Sequence, residues 1–195
     1  MIVQLLTALL IIFYLTIVSR IGDYIAKKYD AYVGRKVTHL LGGGVGLLIM
    51  YLFLKSVLVP IIVTATSLAV LIYRRIKSPF AFQLDDDYGE IYFTLMFSLL
   101  IPAFWQEKII AFLSLSTIAY SDALAGLVRR KLYDSRVKAW EGSIVFFFVQ
   151  LLICLAFGCG VLLSLTIAFI CTLVEYQELL NDNIALPLTA LLLLC

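Results

Sequence analysis

The sequence predicts an all-α integral membrane protein, a polytopic helical bundle with about seven or eight transmembrane helices and short loops. Two observations predict this class. Hydrophobic residues make up 63% of the chain and charged residues only 14%, with a mean hydropathy of +1.05, whereas soluble domains carry about 25% charged residues. Apolar runs also recur along all 195 residues, which leaves no room for a separate soluble domain at roughly 20 residues per span.

The apolar runs predict eight spans within one transmembrane domain over residues 1–195. Several runs are shorter than the ~20 residues that cross the hydrocarbon core, so re-entrant or partly interfacial helices are an alternative. The first run lacks a preceding basic segment and a small-residue cleavage motif, and we therefore expect a span there instead of a signal peptide. The predicted spans are 2–19, 38–54, 57–73, 91–105, 108–124, 143–158, 160–175 and 184–195.

The charges are unevenly distributed when successive loops alternate between the two sides of the membrane. All but Lys55 and Lys108 of the 15 basic residues fall on one side. The positive-inside rule makes that side cytoplasmic and places both termini on the other. Every acidic residue except Glu107 falls on the same side, which favours a polar site in cytosolic solvent over long solvated loops. The net charge of +2 gives no reason to expect nucleic acid as a partner.

Two patterns flank the start of the second span. Residues 21–32 alternate aromatic, aliphatic and charged side chains at helical spacing, which predicts a short helix in the membrane interface, an anchor or a lid over a lipid entrance. The glycine cluster that follows either lets helices pack closely or lets the backbone approach a phosphate group. That cluster consists of Gly42, Gly43, Gly44 and Gly46.

Asp122 is the most informative residue. It lies among small residues in Ser121-Asp122-Ala123-Leu124-Ala125-Gly126, at the end of the fifth predicted span. An acid near membrane depth is costly and indicates function, and its small neighbours leave room for a ligand. Asp122 then serves as the base for an alcohol or as a metal ligand. A structural helix cap is the alternative.

Basic residues at the same face suit phosphate groups. Arg35, Lys36 and the chain's one histidine, His39, share a helical turn at the membrane edge, which predicts a phosphate clamp; snorkelling towards lipid headgroups is the alternative. A second basic stretch, which we predict to be a loop, fits a nucleoside triphosphate or anionic lipid. Its residues are Arg129, Arg130, Lys131, Arg136 and Lys138, followed by Glu141 and Gly142.

Acidic and amide side chains complete this face. The segment from Asp85 to Glu90 is either a solvated loop or part of a Mg²⁺ site, and Glu90 is the candidate because it lies nearest the membrane. Glu175 and Asp182-Asn183 bring further carboxylates and an amide. These groups suit ribose, base or magnesium recognition.

Five motifs, taken in order, resemble those of the CTP-dependent polyprenol kinase family, which includes dolichol kinase, phytol kinase and a diacylglycerol kinase that uses CTP. The motifs span residues 35–188 and all fall on the predicted cytoplasmic face. They are Arg35-Lys36-x-x-His39, Gly89-Glu90-Ile91-Tyr92-Phe93, Asp122-Ala-x-Ala125, Lys138-x-x-Glu141-Gly142, and Glu175 followed by Asp182-Asn183-x-x-x-Pro187.

The resemblance implies that the γ-phosphoryl group of CTP is transferred to the hydroxyl of a membrane isoprenoid or glyceride alcohol, with Mg²⁺ or another divalent cation. Taken together with the residue patterns above, it leads us to predict roles for individual residues. Those roles are catalysis by Arg35, Lys36, Asp122 and Glu141; nucleotide binding by Lys138, Arg129, Arg130, Gly142, Asp182 and Asn183; acceptor binding by His39 and Glu90; and metal binding by Asp122, Asp182 and Glu175.

The chain departs from the family pattern at four positions. Arg129 and Tyr133 replace expected glycines, Ala139 replaces a serine or threonine, and Asn181 replaces an aspartate. These changes imply another nucleotide preference, cationic contacts in place of backbone amides, or lost activity. Two other functions also remain open, a cytidylyltransferase acting on a lipid phosphate and a non-catalytic lipid-binding or transport protein. The near absence of charge within the spans argues against transport.

Overall fold

The computed structural model describes residues 2–84, 87–133, 137–177 and 180–195. Within these ranges every regular element is helical, which confirms the all-α prediction. The elements are α1 (Ile2–Lys28), α2 (Ala31–Thr38), π1 (His39–Gly44), α3 (Val45–Phe53), α4 (Leu58–Lys77), α5 (Gly89–Ala103), α6 (Lys108–Ser116), π2 (Thr117–Ser121), α7 (Asp122–Leu132), α8 (Trp140–Ala156), α9 (Val161–Gln177) and α10 (Asp182–Leu194).

The two π-helical segments join shorter helices into continuous rods. The first rod, α2–π1–α3, covers Ala31–Phe53, and the second, α6–π2–α7, covers Lys108–Leu132. The described ranges therefore contain eight rods, each overlapping one predicted span. Four rods are long and apolar enough to cross a membrane, and the other four are apolar helices of 10–17 residues. This pattern is that of an integral membrane protein.

The α6–π2–α7 rod lies at the centre of the bundle. Of its most apolar stretch 78% is buried inside the protein, against 11% for α1. The predicted span ends at residue 124, whereas the helix continues to Leu132, and Asp122 lies well inside that helix. Arg129 and Arg130 consequently sit on a helix and not in a loop. Basic side chains in a last helical turn are favourable there because they oppose the negative end of the helix dipole.

The prediction of a separate interfacial helix over 21–32 is also wrong. Helix α1 continues to Lys28, supported by the ion pair between Lys27 and Asp23 at 2.6 Å. Asp30 then caps α2, where its side-chain oxygen accepts a hydrogen bond from the Val33 amide at 3.0 Å. The polar residues that indicated an interfacial segment thus end one rod and start the next.

Tyrosine hydroxyls satisfy backbone carbonyls of π1. The Tyr14 hydroxyl donates to the Leu41 carbonyl at 2.8 Å, and the Tyr120 hydroxyl donates to the Gly44 carbonyl at 2.5 Å. π-Helical turns change the backbone hydrogen-bond pattern of a helix and often occur at functional sites. Because Tyr120 belongs to π2, its bond ties the two irregular segments together.

The glycine cluster serves close packing at two of its four positions. A Cβ on Gly43 would lie 2.3 Å from the Phe93 ring, and one on Gly44 would lie 2.7 Å from the Tyr120 ring. Only glycine lets these aromatic rings approach the backbone so closely. The close-packing interpretation is thus confirmed for Gly43 and Gly44, and Gly42, Gly43 and Gly46 line a cavity.

Candidate active site

A buried ion pair joins α2 to α7. The Lys36 ammonium lies 2.5 Å from the Asp122 carboxylate, and the two side chains are 6% and 4% exposed. Each charge would be costly at this depth without its partner. The structure therefore brings together the two residues that the sequence assigned to catalysis on separate spans.

Gly126 makes this pair possible. It lies one turn after Asp122 on α7, and a Cβ there would lie 2.7 Å from Lys36 Cε and 2.5 Å from the Tyr32 hydroxyl. The Lys36 ammonium also lies over the Tyr32 ring, 5.2 Å from its centroid. The space that the small residues leave beside Asp122 is thus filled by the Lys36 side chain.

A second network joins α7, α9 and α10. The two terminal guanidinium nitrogens of Arg129 donate hydrogen bonds to the Glu175 carboxylate, at 2.5 and 2.9 Å. Lys138 binds the same carboxylate at 2.9 Å and Asp182 at 2.7 Å. Glu175 is fully buried, so its charge depends on these two cations.

The electrostatics around Lys138 favour its charged form. Burial lowers the pKa of Lys138, but the carboxylates of Glu175 and Asp182 more than offset this effect and hold the pKa above its ordinary value. Lys138 therefore stays a cation at neutral pH.

The first turn of α8 is shaped around Arg129. A Cβ on Gly142 would lie 2.1 Å from the Arg129 Nε, so only glycine accommodates the guanidinium. The Arg129 Nε donates to the Ala139 carbonyl at 3.0 Å, and its Nη2 donates to the Ser143 hydroxyl at 3.0 Å. Each of the three guanidinium nitrogens of Arg129 therefore donates at least one hydrogen bond.

The three predicted metal ligands converge. One carboxylate oxygen from each of Asp122, Glu175 and Asp182 lies within 4.8 Å of the others. Carboxylate oxygens are the ligands that Mg²⁺ prefers, and the ion usually uses one or two of them beside water and phosphate oxygens. The donor chemistry therefore suits magnesium, and in this arrangement Lys36, Arg129 and Lys138 pair with the same carboxylates.

Arg35 extends the site towards α5 and α10. Its side chain is buried, and Nη1 lies 2.7 Å from the Asp87 carboxylate. A Cβ on Gly89 would lie 2.9 Å from both Arg35 Nη1 and Asn183 Nδ2, so these two side chains meet over that glycine. The Arg35 Nε and the Asn183 Oδ1 are buried without a hydrogen-bond partner among the described residues.

His39 and Glu90 lie beside this site, where they line the cavity that also includes Gly42 and Gly46. The His39 ring stacks on Phe93 with 4.0 Å between centroids. The Glu90 Oε1 accepts hydrogen bonds from Arg75 at 2.9 Å and Gln83 at 3.1 Å. The two residues predicted to bind an acceptor thus face one cavity.

Two predicted site residues are engaged elsewhere. Glu141 accepts a hydrogen bond from the Tyr133 hydroxyl at 2.8 Å, which raises the pKa of that tyrosine. Arg130 contacts Asp30 at 3.2 Å and so links α7 to the start of α2. Asp85, Asp86 and Arg136, which entered the charge analysis, lie outside the described residues.

Several contributors were missed by sequence reasoning. Tyr32, Asp87 and Ser143 contact the site cations, and Gln83 with Arg75 holds Glu90. The sequence pattern places Tyr32 in the predicted interfacial helix over residues 21–32. Its position three and four residues before Arg35 and Lys36 was the available signal, since such residues share a helix face.

Fold and site together define a helical membrane protein with a buried cluster of paired cations and carboxylates in an otherwise apolar bundle. Over 203 aligned residues the chain is 28% identical to probable phytol kinase 2, chloroplastic, from Glycine max, an alignment that covers 89% of this chain and 68% of that protein. This similarity supports, at a distant level, the resemblance to lipid-alcohol kinases. No family model and no solved structure matches the chain.

Proposed function

We propose that the protein is a lipid-alcohol kinase that transfers the γ-phosphoryl group of CTP to a membrane isoprenoid alcohol of the dolichol, polyprenol, phytol or geranylgeraniol type, at the cytoplasmic face. The observation that carries this proposal is the buried Lys36–Asp122 pair beside the Glu175 network. Phosphoryl transfer depends mainly on positioning and charge stabilisation, for which such groups are suited. The name of the Glycine max relative supports the same activity.

In this proposal the cations bind the phosphates of CTP. Arg35 and Lys36 neutralise charge on the transferred group, while Lys138, Arg129 and Arg130 hold the remaining phosphates. The nucleotide also contacts Gly142, Asp182 and Asn183. Glu141 stays a prediction as a catalytic residue, since its contact in the structure is with Tyr133.

Magnesium would be held by Asp122, Glu175 and Asp182, and it would supply positive charge against the phosphates of the nucleotide. The present ion pairs explain how the site stays stable before binding. The cations Lys36, Arg129 and Lys138 face these three carboxylates, so the network is neutral by itself. If the carboxylates held the metal, the three cations would be available to bind phosphate, and each buried charge would still have an opposite charge beside it.

The transfer step places the alcohol oxygen in line with the γ-phosphorus. An oxygen–phosphorus bond forms to the alcohol as the bond to the bridging β–γ oxygen breaks, and CDP leaves. Asp122 accepts the hydroxyl proton as a base, or it acts as a metal ligand and the proton passes to an oxygen of the transferred phosphoryl group; His39 and Glu90 hold the hydroxyl.

The test uses purified protein in detergent with Mg²⁺, CTP labelled at the γ- or α-phosphate, and a panel of polyprenols, phytol, geranylgeraniol and diacylglycerol. We expect γ-label in a lipid product, loss of at least 100-fold in Asp122→Asn, and no change in Glu107→Gln, an exposed carboxylate outside the site. A parallel reaction contains a lipid phosphate as acceptor, and α-label in the lipid product of that reaction would instead identify a cytidylyltransferase. Equal rates in wild type and Asp122→Asn would contradict the assigned site.

A further inference from the structure

A cavity of about 370 Å³ lies between α1, the α2–π1–α3 rod, α4 and α5. Helical interiors are normally close-packed, and voids of this size are the scale of ligand sites. Gly46 enlarges the cavity, since a Cβ there would meet nothing within 4 Å. The apolar walls include Leu15, Met50, Val63, Phe97 and Ile101.

One end of the cavity carries polar atoms that lack partners. Both ring nitrogens of His39, the Oε2 of Glu90 and the Nε of Arg74 are buried without a hydrogen bond among the described residues, and all three residues line the cavity. His39 is only 3% exposed. Unsatisfied buried polar groups are costly, so this end suits the hydroxyl of a ligand whose remainder is apolar.

The polar end adjoins the phosphate-binding residues. His39 follows Lys36 by three positions and Arg35 by four on one continuous rod. Side chains at these spacings lie on neighbouring turns, about 5–6 Å apart at Cβ. A hydroxyl bound to His39 is therefore one helical turn from the Lys36–Asp122 pair.

The cavity is long in the direction of the helices. Its lining extends from His39 to Leu54, just past the end of the α2–π1–α3 rod, and from Glu90 to Ile101 on α5. At the helical rise of 1.5 Å per residue these stretches give a depth of roughly 16–22 Å, about the extended length of four isoprene units. A single prenyl chain of that length therefore matches the depth of the cavity.

The cavity opens sideways between α1 and α4. Thr16 and Arg20 on α1 and Val70 on α4 line the cavity and are also exposed on the outside of the bundle. A groove over Thr16, Ile17, Arg20, Ile21 and Tyr24 continues from this mouth along the outer face of α1. A lipid chain in the bilayer therefore has a continuous apolar route inward.

We propose that this cavity binds a single-chain isoprenoid alcohol of about four isoprene units, which enters from the bilayer between α1 and α4 and places its hydroxyl against His39. The assignment rests on the proposed kinase function for the use made of that hydroxyl. Binding itself is independent of phosphoryl transfer.

The test is photolabelling without CTP, using geranylgeraniol with a diazirine near its tail and the full chain in nanodiscs. We expect peptides of α1, α3 or α5 to carry the label. Gly46→Leu should lower labelling at least tenfold by filling the cavity, and Val70→Trp should lower it by blocking the mouth. Gly160→Leu is the matched control, because a Cβ there also meets nothing within 4 Å and Gly160 does not line the cavity.

A chain-length comparison separates this inference from the kinase proposal. Gly46 lies roughly 10 Å below His39 by helical rise, so Gly46→Leu should raise the KM for geranylgeraniol at least tenfold and leave that for geraniol unchanged. Labelling of the cavity without any phosphoryl transfer would contradict the kinase proposal alone. Labelling of Gly46→Leu equal to wild type, or label confined to the outer surface, would overturn the cavity assignment.

Discussion

Replacement of Lys36 with methionine tests the electrostatic reasoning about the site most directly. The substitution keeps the length of the side chain and removes its charge, which leaves the Asp122 carboxylate buried without the partner now 2.5 Å away. Removal of one member of a buried pair costs about 3–5 kcal/mol in free energy of unfolding, because the remaining charge is uncompensated. We expect Lys36→Met to reach this range, since both side chains are more than nine-tenths buried.

The double variant Lys36→Met/Asp122→Asn separates pairing from packing. With both charges gone no uncompensated charge remains, so its free energy of unfolding should lie above that of Lys36→Met by about 2 kcal/mol or more. Lys27→Met is the matched control. Lys27 pairs with Asp23 at a similar distance of 2.6 Å but its side chain is 67% exposed, so the expected loss is below about 1 kcal/mol.

The measurement is denaturant unfolding in mixed micelles, followed by far-ultraviolet circular dichroism, with transfer activity assayed in parallel. The double variant should regain stability but not activity, because the lysine and the aspartate are both needed for transfer. Wild-type stability in Lys36→Met, or a double variant less stable than Lys36→Met, would refute the assignment of a buried compensating pair.

Three further substitutions probe the surroundings of the site. Gly142→Ala would place a Cβ 2.1 Å from the Arg129 Nε, so transfer should fall at least tenfold, and an unchanged rate would contradict this packing. Gln150→Leu should lower the free energy of unfolding by about 1–3 kcal/mol, because two buried serine hydroxyls on the central rod lose a hydrogen-bond partner. Wild-type stability in the same denaturant assay would show that these hydrogen bonds do not stabilise the fold. Tyr120→Phe should cost about 1 kcal/mol, since the Gly44 carbonyl loses its hydroxyl donor, and wild-type stability would show that this bond is dispensable.

The number and order of the rods could be predicted from sequence because the apolar runs are separated by charged or turn-forming residues. The rod ends could not, since they depend on contacts between distant residues. The helix that carries the fifth predicted span runs past residue 124 to Leu132 and includes the buried Arg129. In the structure Glu175, 46 positions away, makes its burial possible, and no local pattern reports such a partner.

The sequence predicted which residues form the candidate site better than it predicted how those residues pair. Convergence of Asp122, Glu175 and Asp182 was expected from their side of the membrane and from the family resemblance. The pairing of each carboxylate with a particular cation was not, because charge counting assigns a face but not a partner. Glu141 illustrates the limit: its place in a motif predicted catalysis, whereas its contact is with Tyr133.

Arg129 stands where the family that this chain resembles has a glycine, and other residues of this chain accommodate the arginine side chain. If Arg129 had replaced a glycine in a site that has lost activity, we would expect no specific partners for its guanidinium. Instead it neutralises the fully buried Glu175 and fits against Gly142, where any side chain would collide with it. A buried carboxylate and a glycine that both depend on one arginine support the proposal that a cation takes the place of backbone amides at this site. The proposed kinase activity predicts that Arg129→Gly lowers the rate of transfer, and an unchanged rate would contradict this role of the arginine.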